Sequence, residues 1–437
     1  MGSVAIFCAY YLKRKCVAMR MLVKSFVLQN VKYIFDGNSL ELFRVINEDD
    51  ISTYMAQNDT SICKKQVVNG NSISKVVLNV SNKCNLRCKY CYADGGQYAS
   101  KKDELMSMQT LKDIIAELHS KGIKRIGVVS FFGGEPLLNY PLIKSGIELF
   151  NNTFEIRNYE IVTNAWYLNE ENITFFKENH VNLAISIDGP QDITDLLRGK
   201  GSYAKVLESL HTAKQLGYYN IECSATYTKY HEELGYTYDD INKYFNKMGI
   251  KATISRVISE NRNMKPTYRP TKEEIRNDIR ESARKIYDNQ VTGVINPYLY
   301  QTLMSLTFGT RSINYCDDLM GDFSIDYDYD GKKYNCFHFW GDKKYAVKEE
   351  KLCNDNIQVV NDKDNNVVCK MCWAKYLCKI CTASIMQNTM KWPVMNSGEC
   401  SDRNIFEMCI ECIIEYHLEE KVKQLTDNFV RNFIHYQ

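Results

Sequence analysis

Three cysteines fall close together in Cys84-Asn-Leu-Arg-Cys88-Lys-Tyr-Cys91. Thiolates this near on one stretch suit a shared iron–sulfur cubane, because each sulfur can take a different iron of one [4Fe–4S] cluster. A cubane has four irons and no fourth cysteine lies nearby, so one iron stays open to a ligand from outside. A structural zinc site is the plainer alternative, but it wants a closed set of four ligands with paired CxxC spacing. Such pairs do occur further on, where Cys369-Lys-Met-Cys372 and Cys378-Lys-Ile-Cys381 sit among Cys316, Cys336 and Cys400. Those seven thiols suit either two further clusters or a pair of zinc ions.

The elements that must position these thiols are legible as well. From Lys75 onward, β-branched apolar runs alternate with helical stripes, the pattern of parallel βα units. Strands are expected at Val76–Val80, Arg125–Phe131, Tyr159–Thr163, Leu183–Ile187, Ile221–Thr226 and Thr253–Val257, with helices such as the one carrying Leu111, Ile114, Ile115 and Leu118 on one face. The fold class is therefore α/β, a partial (β/α)6 TIM-like barrel with its chemistry at the C-terminal strand ends. Three domains are expected: residues 1–74 as an N-terminal extension and small module, 75–300 as the barrel, and 301–437 as a Cys-rich domain closed by a helix from about Asn404 to Leu425. In the first, strand-like runs Ser25–Leu28, Lys32–Phe35 and Glu41–Val45 surround the turn Asp36-Gly37-Asn38. In the last, weak apolar periodicity means that metal rather than a core should hold the chain together.

Composition removes several function classes. The net charge is +2 with both signs interspersed, so nothing argues for nucleic acid. The run Val4–Leu12 is too short to span a bilayer, and no membrane association is expected. The segment from Met1 to Arg20 lacks a basic n-region, and Met19 and Met21 offer alternative starts, so it reads as an upstream extension rather than an export signal. Seventeen cysteines in tight groups fit a cluster protein in a reducing cytoplasm better than a disulfide framework. Cys8, Cys16, Cys63, Cys223, Cys409 and Cys412 have no partner pattern and read as ordinary thiols.

CxxxCxYC after the first strand of a βα barrel resembles the radical S-adenosylmethionine (SAM) superfamily. The resemblance implies that Cys84, Cys88 and Cys91 hold the cluster, and that the open iron chelates SAM and cleaves it to methionine and a 5′-deoxyadenosyl radical. Gly133-Gly134-Glu135-Pro136 resembles the family's GGEP element, where backbone carbonyls and the acid hold the SAM amino group. Thr163, Asn164, Ser186, Asp188 and Arg198 match positions that bind the ribose and the methionine carboxylate, and an arginine fork suits a carboxylate. Tyr90 and Val257 would border the adenine.

The later cysteines resemble the SPASM extension, which implies two auxiliary [4Fe–4S] clusters and three in all. Cys369, Cys372, Cys378 and Cys400 would close one; Cys316, Cys336 and Cys381 would bind the other. Two departures stand out. Cys378 and Cys381 are separated by two residues where the family usually has three, and the stretch from Asp317 to Asp330 lacks the extra cysteine common in sulfatase maturases. The inner auxiliary cluster is thus expected to have an open iron, filled by Cys353 or by a substrate thiolate, since soft iron prefers soft sulfur.

The run from Phe26 to Glu48 and the stretch Cys336-Phe-His-Phe-Trp-Gly341 are similar to peptide-maturing SPASM enzymes. That implies a winged-helix-like module taking the leader of a ribosomally made, cysteine-containing precursor peptide by strand addition, with flavodoxin or ferredoxin as electron donor. The expected reaction is a thioether or carbon–carbon crosslink. A formylglycine-forming sulfatase maturase is the rival within the class, and a zinc-stabilised binding protein is the rival outside it. Asp317, Asp318, Asp322, Glu260 and His338 are candidates for the acid or base.

Overall fold

The structure, a computed structural model, describes residues 22–47, 71–257, 271–288, 296–319, 323–348, 351, 353–386 and 400–418. The segment Met1–Arg20, Cys8, Cys16, Cys63, Glu260, Asp322, the side chain of Asp318, the module beyond residue 47 and the final helix beyond residue 418 lie outside it.

The barrel strands are β4 (Ser72–Ser81), β5 (Arg125–Gly133), β6 (Glu155–Thr163), β7 (Val181–Ser186), β8 (Ile221–Tyr227) and β9 (Ala252–Arg256). They are numbered after an N-terminal antiparallel sheet of β1 (Val23–Leu28), β2 (Val31–Asp36) and β3 (Glu41–Val45). Every neighbouring pair from β4 to β9 is parallel, as βα connections require. The sheet does not stop at six strands. Ser324–Tyr327 (β10) adds in parallel to the outer edge of β4, and Lys333–Tyr334 (β11) pairs antiparallel with β10, giving the order β11-β10-β4-β5-β6-β7-β8-β9. All four β10 residues are buried, so the strand carries no alternation to betray it in the sequence.

Strand alternation sorts the two faces. Val76, Leu78 and Val80 join Leu111, Ile114, Ile115 and Leu118 of the first helix in the core beneath the helical layer. The intervening residues line the concave side, where Lys75 on β4 reaches across β5 to Glu160 on β6 at 2.9 Å. By register, Asp326 stands beside Val77 on this inner face.

A second core joins the N-terminal sheet to segments from Ile279 to Leu418. Phe26 and Phe35 of the N-terminal sheet pack edge-on against Trp373, between Cys372 and Cys378, at 6.2 and 5.7 Å. Helices Lys272–Tyr287, Pro297–Phe308 and Ser401–Glu415 complete this cluster with Ile279, Ala283, Leu299, Phe406 and Ile413. Apolar packing therefore supports the cysteine-rich region beside whatever its thiols hold.

Candidate active site

The loop from Ser81 to Tyr92 leaves β4 at the C-terminal mouth of the sheet and carries Cys84, Cys88 and Cys91. All three are free, half-buried thiols, and no disulfide forms among the described residues. Backbone N–H groups point at two sulfurs: Leu86 donates to Cys84 Sγ at 3.4 Å and Gly95 to Cys91 Sγ at 3.3 Å. Donors of this kind suit thiolates that ligate a cluster and tune its potential. Burial pushes the Cys84 thiol up to about 12 and the Cys88 thiol up to about 11, so without a metal both stay protonated. Arg87 pins the loop, its guanidinium donating to the Cys84, Leu86 and Gly95 carbonyls.

Gly133 and Gly134 end β5 against that loop. Gly134 N donates to Ser81 O at 2.7 Å and Glu135 N to Lys83 O at 2.9 Å. A Cβ on Gly134 would lie 2.4 Å from Lys83 O and 2.7 Å from Gly96 Cα, and Gly133 has a φ of +138°. The glycines thus let two backbones touch. Glu135 is fully buried and accepts from Leu137 N at 3.0 Å, Thr163 Oγ1 at 2.8 Å and Asn164 N at 2.8 Å. Those bonds favour the carboxylate, but desolvation outweighs them and pushes Glu135 up to about 7. Asn164 in turn donates to Asn85 Oδ1 at 2.9 Å and reaches Cys84 Sγ at 3.7 Å. Glu135, Thr163, Asn164 and Cys84 are therefore one connected patch.

A second patch surrounds Cys88. Asp188, after β7, is wholly buried and takes a two-point bond from Arg198, Nε at 2.8 Å and a terminal nitrogen at 3.1 Å. Tyr90 Oη donates to the same carboxylate at 2.9 Å, as does Thr226 N at 2.9 Å. The Arg198 fork is thus engaged within the protein rather than presented to open space. Lys89 N donates to Leu197 O at 2.9 Å, tying the cysteine loop to the helix that carries Arg198. Ser186 and Val257 stand further round the rim, at the ends of β7 and β9.

His231 was not singled out in the sequence. It is fully buried, with Nε2 2.9 Å from Asp188 O and Nδ1 3.1 Å from Thr228 N. Because Thr228 N can only donate, Nδ1 accepts and Nε2–H donates to the Asp188 carbonyl. A lone histidine beside a threonine gives no sign of this role; only the fold brings it to Asp188.

The later cysteines also gather. Cys369, Cys372, Cys378 and Cys400 line a single cavity together with Lys363 and Tyr315. Cys336 lies near enough to Cys316, Cys381 and Asp326 for their charges to oppose its ionisation, and burial is the larger reason its thiol is pushed up. Cys353 is buried among Leu319, Tyr334, Trp340 and Ile357, and its thiol faces Leu319 O at 3.3 Å. Among the described residues, no three His, Cys, Asp or Glu side chains converge as they would round one metal ion. A cubane takes each thiolate at a different iron, so its ligands do not converge on one point. Between Cys91 and Cys336, Tyr92 packs on His338 at 4.9 Å and on Phe337 at 5.9 Å.

A family model described as the radical SAM superfamily matches residues 78–241. An uncharacterized protein of Methanocaldococcus jannaschii is 32% identical over 217 residues, spanning 48% of this chain and 71% of that protein. A cysteine-type anaerobic sulfatase-maturating enzyme of Clostridium novyi is 27% identical over 353 residues, 70% of this chain and 87% of the relative. Native anSMEcpe with bound AdoMet shares the fold, with a TM-score of 0.59 at 17% identity over 81% of this chain and 99% of that one. The chain belongs to the radical SAM superfamily. It is a radical SAM enzyme related to anaerobic sulfatase maturases, and its fold is one that takes SAM and a [4Fe–4S] cluster. Among the described residues, no helix is long and apolar enough to cross a membrane.

Proposed function

We propose that this enzyme matures a ribosomally made, cysteine-bearing precursor peptide by installing a thioether or carbon–carbon crosslink. In this reading Cys84, Cys88 and Cys91 hold the radical cluster, whose bound SAM supplies a 5′-deoxyadenosyl radical for hydrogen abstraction. Glu135, Thr163 and Asn164 would receive the SAM amino group and ribose on one side. Tyr90, Asp188 and Arg198 border it on the other, with Ser186 and Val257 on the rim. The protein's share is to orient the reacting atoms and exclude water. Two auxiliary [4Fe–4S] clusters would bring the total to three, one on Cys369, Cys372, Cys378 and Cys400 and one on Cys316, Cys336 and Cys381. A flavodoxin or ferredoxin in the cytoplasm is the proposed electron source.

The observation that carries the crosslink reading is the inner cysteine set. Cys316 and Cys381 both lie near Cys336, while the Cys353 thiol faces the Leu319 carbonyl at 3.3 Å within a cluster that Cys316 and Cys336 also pack against. Three ligands leave an iron for a substrate thiolate. The N-terminal β1-β2-β3 sheet adds support, since among the described residues β3 is its outer strand, where a leader could pair as a further strand. The sulfatase-maturing reading is favoured by the match to the Clostridium novyi enzyme, which covers most of both chains.

Anaerobic purification and reconstitution test the enzyme reading. Dithionite-reduced protein should cleave SAM reductively, and Cys88→Ala should abolish cleavage while the iron of the auxiliary clusters persists. Protein that carries zinc without iron or sulfide would overturn the assignment of all ten cysteines.

A further inference from the structure

Lys363 is a buried cation in an unusual setting. Its side chain is 1% exposed, and its ammonium donates to three backbone carbonyls: Ser312 O, Lys375 O and Cys378 O, the last two at 2.7 Å and the first at 2.5 Å. Among the described residues, no carboxylate forms an ion pair with it, whereas its neighbour Lys375 pairs with Asp364 at 2.8 Å. Lys363 also lines the cavity of Cys369, Cys372, Cys378 and Cys400. Carbonyl dipoles satisfy its hydrogen bonds, and Asp317, the carboxylate whose charge reaches it, pairs instead with Lys379 at 3.8 Å, so no ion pair balances its charge, which is costly in the interior. A cubane on four thiolates is a net anion, and more so when reduced. Placed in this cavity, it would supply the missing counter-charge.

We propose that Lys363 is the built-in counter-charge of the cluster on Cys369, Cys372, Cys378 and Cys400, and that it raises the reduction potential of that cluster. The inference rests on the auxiliary-cluster reading above. The surroundings of a cluster, including nearby charge and hydrogen bonds to its sulfurs, set its potential. A fixed cation stabilises the more negative, reduced form, so the outer cluster would accept an electron more readily than the same four cysteines alone. Lys363 is a positioning residue too, because its three bonds join the Ser312 segment to the loop between Cys372 and Cys378.

The test is a redox titration of the full, reconstituted enzyme followed by electron paramagnetic resonance, with the outer cluster identified as the signal lost in Cys372→Ala. Lys363→Met and Lys363→Gln remove the charge, glutamine keeping amide donors; Lys363→Arg keeps the charge. The neutral variants should retain the outer cluster's iron but disfavour its reduction at least tenfold, about 59 mV for one electron. The arginine variant should stay near the wild type. An unchanged potential in the neutral variants, or an equal shift in the arginine variant, would overturn the proposal. Loss of every cluster in all three variants would make Lys363 a folding residue and overturn it as well. If Cys372→Ala loses no iron, the auxiliary-cluster reading fails first and the proposal falls with it.

Discussion

Glu135 shows how one side chain can hold a site together at the expense of its own ionisation. Its carboxyl takes three hydrogen bonds that tie the Gly133–Glu135 turn to the end of β6, yet burial wins and lifts it from an ordinary 4.5 to about 7. The folded state then binds a proton that the unfolded state has released between these values. Stability of the cofactor-free protein should therefore fall as pH rises from 4.5 to about 7 and level off above. The fall attributable to this group is on the order of 3 kcal/mol. Urea unfolding across that range should show the slope in the wild type and a flatter profile in Glu135→Gln. An identical slope in both proteins would place the titration elsewhere. Sequence alone marked Glu135 by the turn it sits in, and marked Thr163 and Asn164 as strand-end residues matching the family's SAM contacts, but not as hydrogen-bond partners of Glu135.

At the scale of elements, the two loops at the mouth of the sheet are joined by backbone contact rather than by side chains. Gly134 leaves no room for a methyl group between Lys83 O and Gly96 Cα. Gly134→Ala must push the cysteine loop away from the end of β5, and backbone on both sides leaves little scope to yield. Iron bound at Cys84, Cys88 and Cys91 and SAM affinity should each drop at least tenfold, while iron at the later cysteines is retained; iron analysis and equilibrium dialysis read the two effects. Full SAM affinity in this variant would contradict the close approach. The strands β4 to β8 were legible because each spans six residues or more, long enough for its apolar positions to stand out. The β10 strand was not, being four residues, buried on both faces and set in a cysteine-rich stretch. Its antiparallel partner is two residues long and gives no pattern at all.

Across the described residues, the N-terminal sheet and the helix Ser401–Glu415 meet at the outer cysteine loop. Phe26 and Phe35 bracket Trp373, and Gly37 sits so close that a Cβ there would lie 2.1 Å from Trp373 O. Lys24 adds an ion pair to Glu407 of the helix Ser401–Glu415 at 2.8 Å. The turn at Asp36-Gly37-Asn38 and its flanking strands were readable locally, but nothing in local sequence says that they dock beside Cys372. Likewise the grouping of Cys369, Cys372, Cys378 and Cys400 followed from a resemblance, and it is the fold that sets all four round one cavity. Under the proposed function, leader recognition and auxiliary clusters would share one body, with the SAM site at the mouth of the barrel. The most direct test of that account is mass spectrometry of a cysteine-bearing precursor peptide carrying its leader, incubated anaerobically with the reduced enzyme and SAM. The account predicts loss of two hydrogens with sulfur retained, dependent on Cys88 and on the leader. Loss of the cysteine sulfur with formation of an aldehyde would contradict it and make the enzyme a formylglycine-forming maturase.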